Sequence, residues 1–403
     1  MNRWIFFTIL SLGLSSSSLA GTPDQLCVLD PDQMPASWRP SPDLQKSLNP
    51  APWSEAEAKD AEYAKRTGVD EMLGLFKEKP SAVQKMFDDA IAALLQVTYS
   101  STNQPEFDAK IRDAARDNLT ALLTPYLKRK PETARCDEFE DLLPLAIFAH
   151  RLYPAKHQLT DVVTKRVNAA YSACGSLKAA TENILRKVRT DNQEPGEYID
   201  RLEDLFDLYA WTLLLIEAEL YPDIKLPNEA RAFGQKAWKH LETLPLPNVN
   251  TFEKGLKDER FITLADLATH LSHIPTGLGR YPLYVSDKPN LYSFIRENFY
   301  PMMQSGDRDL FSLFVDTLRQ YGCSANDDVQ VRDGARYLLK SFHDHNDKWM
   351  NFYEKRKTFT DPIEYIQVHH AWTAVLGVRG RKLKRPEPGT YGSLVRRWLP
   401  YPD

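Results

Sequence analysis

The sequence predicts an all-α protein of about a dozen antiparallel helices, and three observations lead there. Apolar residues recur at helical spacing through almost every segment after residue 54. The breaks between segments are short and marked by proline. No run of β-branched residues alternates over a strand-length window, and no Asn-Gly hairpin signal occurs.

The elements follow in order. Met1-Asn2-Arg3 is a short positive start, Trp4 to Leu14 an apolar run, and Ser18-Leu19-Ala20 places small residues at −3 and −1 before Gly21. That order is the pattern of a secretory signal peptide cleaved after Ala20. Its apolar run is shorter than the roughly 20 residues a membrane span takes. The sequence therefore predicts a soluble protein, periplasmic or secreted, without integral membrane association. Residues 21–53 contain Pro23, Pro31, Pro35, Pro40, Pro42, Pro50 and Pro52 and read as an irregular arm. Ser54-Glu55-Ala56-Glu57 is a capping box, and a helix is expected from there toward Phe76. Stripes at Ala82–Val97 and Phe107–Leu123 come next. Segments 138–152, 159–174, 177–188, 199–220 and 230–244 continue the series. The expected organisation is one helical domain over 54–398, with a possible subdivision near 245–250.

There are 51 Lys and Arg against 55 Asp and Glu, and removing residues 1–20 with their single charge, Arg3, leaves 50 against 55. A mildly acidic chain lacks the footprint for nucleic acid. The four cysteines, Cys27, Cys136, Cys174 and Cys323, are an even set in an exported chain and favour disulfides. Cys136 and Cys174 lie equally far from Ala155, at the turn between two helical segments. An antiparallel hairpin brings them to the same end, so Cys136–Cys174 is favoured and Cys27–Cys323 remains. No Cys-x-x-Cys occurs, and no metal or cofactor is implied.

In the last third, Val331-Arg332-Asp333-Gly334-Ala335-Arg336-Tyr337-Leu338-Leu339 leads to Asn346-Asp347-Lys348-Trp349. Asp361, Tyr365, His370, Trp372-Thr373-Ala374-Val375 and Gly377-Val378 follow. Residues 331–378 resemble the helical repeat of α/α-toroid proteins, the terpene cyclases and prenyltransferase β-subunits. The resemblance implies an α/α-toroid; a helical array is the alternative architecture. The usual Gln before the loop is absent, and Asn346-Asp347 stand where Asp-Gly is expected. The chemistry of those families does not accompany the resemblance. There is no Asp-x-Asp-Asp, and Asp137-Glu138-Phe139-Glu140-Asp141 is a single acidic run at a helix start, where the helix dipole favours it.

Six of the nine histidines follow residue 269. Asp266, His270 and His273 fall at i, i+4 and i+7, on one helical face beside a stripe of leucines. A Gly- and Pro-rich loop follows, carrying Arg280 and Tyr281. These five residues, with His370 and Trp372 from the C-terminal helix, are the candidate ligand-binding set. Histidines that serve only as satisfied structural groups are the competing reading, and a metal site lacks a further ligand that the sequence could fix. Two functions fit the set. One is a non-catalytic protein that binds a small molecule, a glycan or a protein partner in a concave pocket. The other is a secreted α/α-barrel enzyme acting on a polysaccharide as lyase or hydrolase. There Arg280 would neutralise a carboxylate, His270 act as base and Tyr281 as acid.

Overall fold

A computed structural model describes Cys27, residues 34–79, Leu94, and residues 105–154, 156–180, 202–226, 229–285, 287–350, 363–378 and 394–395. The leader segment, most of the 82–97 stripe, the 181–200 connection and the basic run after Val378 lie outside the described residues. Among the described residues every regular element is helical and there is no strand.

The helices are α1 (Pro42–Ser47), α2 (Glu55–Glu78), α3 (Pro105–Leu127), α4 (Phe139–Leu152), α5 (Gln158–Cys174), α6 (Leu177–Ala180) and α7 (Leu202–Ala218). They continue as α8 (Glu229–Glu242), α9 (Glu259–Leu271), α10 (His273–Thr276), α11 (Pro289–Gln304), α12 (Arg308–Gln320), α13 (Val329–Asp344) and α14 (Ile363–Val378). The arm is not wholly irregular. Ser41 accepts a hydrogen bond from the Leu44 amide and Pro42 occupies the first helical position, so proline starts α1 instead of preventing it. Proline is likewise tolerated within α3, α4 and α11, at Pro125, Pro144 and Pro301.

The capping box forms as expected: Ser54 Oγ accepts from the Glu57 amide at 3.2 Å, and Glu57 accepts from the Ser54 amide at 2.7 Å. It starts α2, whose buried stripe of Ala61, Ala64, Gly68, Val69, Met72, Leu75 and Phe76 packs against α14 and α13. Gly68 is required at this crossing, because a Cβ there would meet Val375 Cγ2 at 2.5 Å and Trp349 Cδ1 at 2.8 Å. Neighbouring helices run α3, α4, α7, α9, α12, α14 and α2, and α2 touches α3 again. Within that circuit α12 is buried on all sides, against α9, α11, α13 and α14. Its polar residues are satisfied internally: Arg319 Nε donates to the Gly377 carbonyl at 2.9 Å and Gln320 donates to Asp316 at 3.0 Å.

Both expected disulfides are present, Cys27–Cys323 and Cys136–Cys174. The segment after α13 turns through Asn346 and Asp347, both left-handed (φ 59° and 56°), and delivers Trp349 into the core. Its ring lies 4.7 Å from Phe342, and its Nε1 donates to the Ala64 carbonyl at 2.7 Å.

Candidate functional site

The site begins on α9. Asp258 caps the helix by accepting from the Arg260 amide, and Phe261, Leu264, Ala265, Leu267, Ala268 and Leu271 turn into the core. The polar stripe on the adjoining face presents Asp266 and His270. His270 Nδ1 donates to the Asp266 carbonyl at 2.9 Å, and the Asp266 carboxylate lies 3.3 Å from the same nitrogen. Burial pushes the His270 imidazole down, but the Asp266 carboxylate and carbonyl outweigh it, and the pKa lies above the ordinary value.

The stripe does not run on as one helix. α9 ends at Leu271, Ser272 keeps helical backbone angles, and His273 opens the single turn α10. His273 is buried, and its Nδ1 pairs with the Tyr209 hydroxyl at 3.1 Å. Around His270 the rings of Phe206, Tyr209 and His273 stand edge-on, with centroids 5.4 to 5.6 Å away. Three consecutive left-handed residues then follow, Gly277, Leu278 and Gly279. The turn is held by Thr276, whose Oγ1 donates to Gln320 and accepts from the Gly279 amide, both at 2.9 Å. Leu278 carries a side chain in a conformation that favours glycine, the kind of local strain that such a bonded turn sustains.

Two further histidines, His369 and His370, lie on α14. His369 acts on the His270 imidazole electrostatically, lowering its pKa. Its ring meets Trp372 edge-on at 5.3 Å and stacks over Tyr365 at 6.2 Å. His370 points to α12 instead, where its Nδ1 lies 2.6 Å from Asp309, and His369 Nδ1 lies 3.6 Å from the same carboxylate. Thr373 also donates to Asp309, at 3.0 Å. Burial would raise the Asp309 carboxyl, but its bonds to the two histidines hold it well below the usual carboxylate range. Both adjacent histidines thus engage one acid, an arrangement that i, i+1 spacing on a helix does not suggest.

The structure brings Asp266, His270 and His273 together, and of the two α14 histidines it is His369, not His370, whose charge acts on the His270 imidazole. His370 and Trp372 lie two residues apart on α14, roughly 200° around the helix, and so point to different surroundings. Arg280 is committed elsewhere. Its Nη2 donates to Glu217 Oε2 at 2.5 Å, its Nε donates to the Gly277 carbonyl at 2.8 Å, and Arg151 holds the same Glu217 at 2.6 Å. Burial pushes the Glu217 carboxyl up, but the two guanidinium groups prevail and hold it at about 2. Tyr281 is buried, with the Arg280 guanidinium 5.8 Å from its ring.

Sequence reasoning passed over Phe206, Tyr209, Glu217, Asp309 and His369 as site residues. Glu217 alone carried a signal, as the acid that directly follows the apolar run from Trp211 to Ile216. Cys27, Cys323 and Asp328 also bring potential ligand atoms together, but both sulfurs are consumed by the disulfide, leaving no thiolate for a metal. No helix among the described residues is long and apolar enough to cross a membrane. Comparisons with protein-family models, curated proteins and solved structures find no match for this chain.

Proposed function

We propose that this is an exported protein that binds a small ligand of the glycan type in a concave cleft between α9 and α14. One observation carries the reading. His270 stands edge-on to the rings of Phe206 and Tyr209, and His369 stacks with Tyr365 and meets Trp372 edge-on, so each imidazole sits among aromatic rings. Aromatic faces with a few convergent polar groups suit an amphipathic ring such as a sugar. Two disulfides fit an oxidising compartment and support export. The circuit of helix neighbours that leads from α2 back to α3 supports an α/α-toroid, whose inner surface would hold this cleft.

The polysaccharide-cleaving alternative is the weaker reading. The Asp266–His270 pair has the composition of an oriented base, but elimination also needs a cation for the uronate carboxylate, and Arg280 is spent on Glu217. The test is titration of tryptophan fluorescence with neutral and acidic oligosaccharides. Wild-type protein should show saturable binding, and His270→Ala and His369→Ala should each weaken it at least tenfold with the melting temperature nearly unchanged. If no saccharide binds, or if the substitutions act mainly by lowering the melting temperature, the histidines are structural and the proposal fails. An increase in ultraviolet absorbance from unsaturated products would instead establish the lyase.

A further inference from the structure

A second imidazole, remote in function from the cleft, has both of its ring nitrogens on carboxylates. His343 lies in the last turn of α13. Its Nδ1 is 2.6 Å from Asp347 Oδ1 in the left-handed turn, and its Nε2 is 2.9 Å from Asp60 Oδ2 on α2. A neutral imidazole has one N–H, so both contacts are donated hydrogen bonds only when the ring carries two protons. We propose that His343 is a proton-operated clamp that fastens α2 and the 346–349 turn to the end of α13 while doubly protonated and loosens that seam on losing one proton.

The surroundings make the clamp local. From α2 the ring meets Asp60, while Glu57, nearer the start of that helix, is engaged by Arg336. On α13 itself Lys340 and Asp344 pair with each other, and His345 bonds the Ser341 carbonyl. From α12, Arg308 reaches Ser341. The contacts of α11 and α14 with α13 include apolar ones, at Gly334 and Leu338. Asp60 and Asp347 are therefore the two charges that bond the ring. Loss of a proton leaves two carboxylates sharing one donor. What the clamp holds is the end of the seam that also contains Trp349, whose amide donates to Glu71 at 2.9 Å.

Hydrogen bonds donated by the ring to Asp60 and Asp347 raise the His343 pKa above its ordinary value, against an opposing effect of burial. A raised folded-state pKa stabilises the seam fully below the unfolded value of about 6.5 and ceases to do so as pH rises through the folded value. The inference is independent of the ligand reading. It is tested on the full protein by NMR titration of the His343 ring and by hydrogen exchange of the 346–349 amides, corrected for intrinsic rates. The ring should titrate above 6.5, and Asp60→Asn and Asp347→Asn should each lower its midpoint. Exchange should accelerate at least threefold across that midpoint in wild type and not in His343→Arg, whose charge is permanent. A midpoint at or below 6.5, a midpoint indifferent to both Asn substitutions, or equal acceleration in His343→Arg would overturn the clamp.

Discussion

Two regions of the molecule use the same chemistry, a disulfide beside Arg–carboxylate pairs, and use it differently. At one end, Cys27–Cys323 is buried among α11, α12 and α13 and joins residues 296 positions apart. Arg296 Nη2 lies 2.8 Å from Cys27 Sγ and 3.3 Å from Cys323 Sγ, and the same guanidinium bonds Asp328 at 2.5 and 3.0 Å, with both charged side chains fully buried. At the other end, Cys136–Cys174 closes the α4–α5 hairpin over 38 positions with its cysteines half-buried. There Arg135 binds Asp137 in solvent, while Arg166 reaches inward to Glu138. The first region is a long-range joint that exists only once the fold is assembled. The second is a staple on a locally formed hairpin.

The largest expected effect separates the two bonds. In the loop-entropy limit, paired Cys→Ser substitution costs about 4 kcal/mol at 136 and 174 and about 2 kcal/mol more at 27 and 323, because the longer loop constrains the unfolded chain more. Denaturant midpoints with unchanged slopes would measure both. Partial reduction by a mild thiol should open Cys136–Cys174 first, since Cys27 and Cys323 are buried. Finding the 136–174 variant the less stable, or its bond the more resistant, would break the comparison.

The next effect lies in the charges. Asp328 neutralises Arg296 and also caps α13, accepting from the Val331 amide at 2.9 Å. Asp328→Ala removes the only carboxylate seen on Arg296 among the described residues and leaves a buried guanidinium. A loss of 3–5 kcal/mol is the usual scale for breaking such a pair, with about 1 kcal/mol more from the cap. Chemical denaturation would show it as a midpoint shift, and a shift below about 1 kcal/mol would mean that Arg296 finds water or another partner.

The two regions also differ in how far the sequence disclosed them. The hairpin was legible because its information is local: mirror spacing about Ala155, helical period on both sides, and Tyr153-Pro154 at the turn. Cys27–Cys323 followed from elimination, while Arg296 and Asp328 carried no pattern at all, since their pairing depends on how α11 and α13 dock. The candidate site divides in the same way. Asp266 and His270 lie one helical turn apart, and their relation was visible as period. His369 and Asp309 were hidden because the docking of α12 on α14 decides how two adjacent histidines come to share one acid. Arg280 was visible as a cation in a Gly-Pro loop, but its partner Glu217 lies on α7, with three helices in between. Local period shows which residues share a face and says nothing of which charge waits on the facing helix.

The smallest expected effect is the sharpest control, because it keeps the residue types and changes only the solvent. Arg135 donates to Asp137 through two parallel hydrogen bonds, at 3.0 and 2.7 Å, immediately before Cys136. Drawn on paper, this fork looks as strong as the one between Arg296 and Asp328. Its side chains, however, are 73% and 59% exposed. In water each charge retains most of its hydration, the attraction is screened by salt, and two long side chains lose rotamer freedom to hold the geometry. Asp137→Ala should therefore shift stability by no more than about 0.5 kcal/mol, and less in 0.5 M salt, against several kcal/mol for Asp328→Ala. A loss above about 1.5 kcal/mol at Asp137 would show that the fork is coupled to the disulfide beside it, making the staple a cooperative unit like the buried joint at the other end.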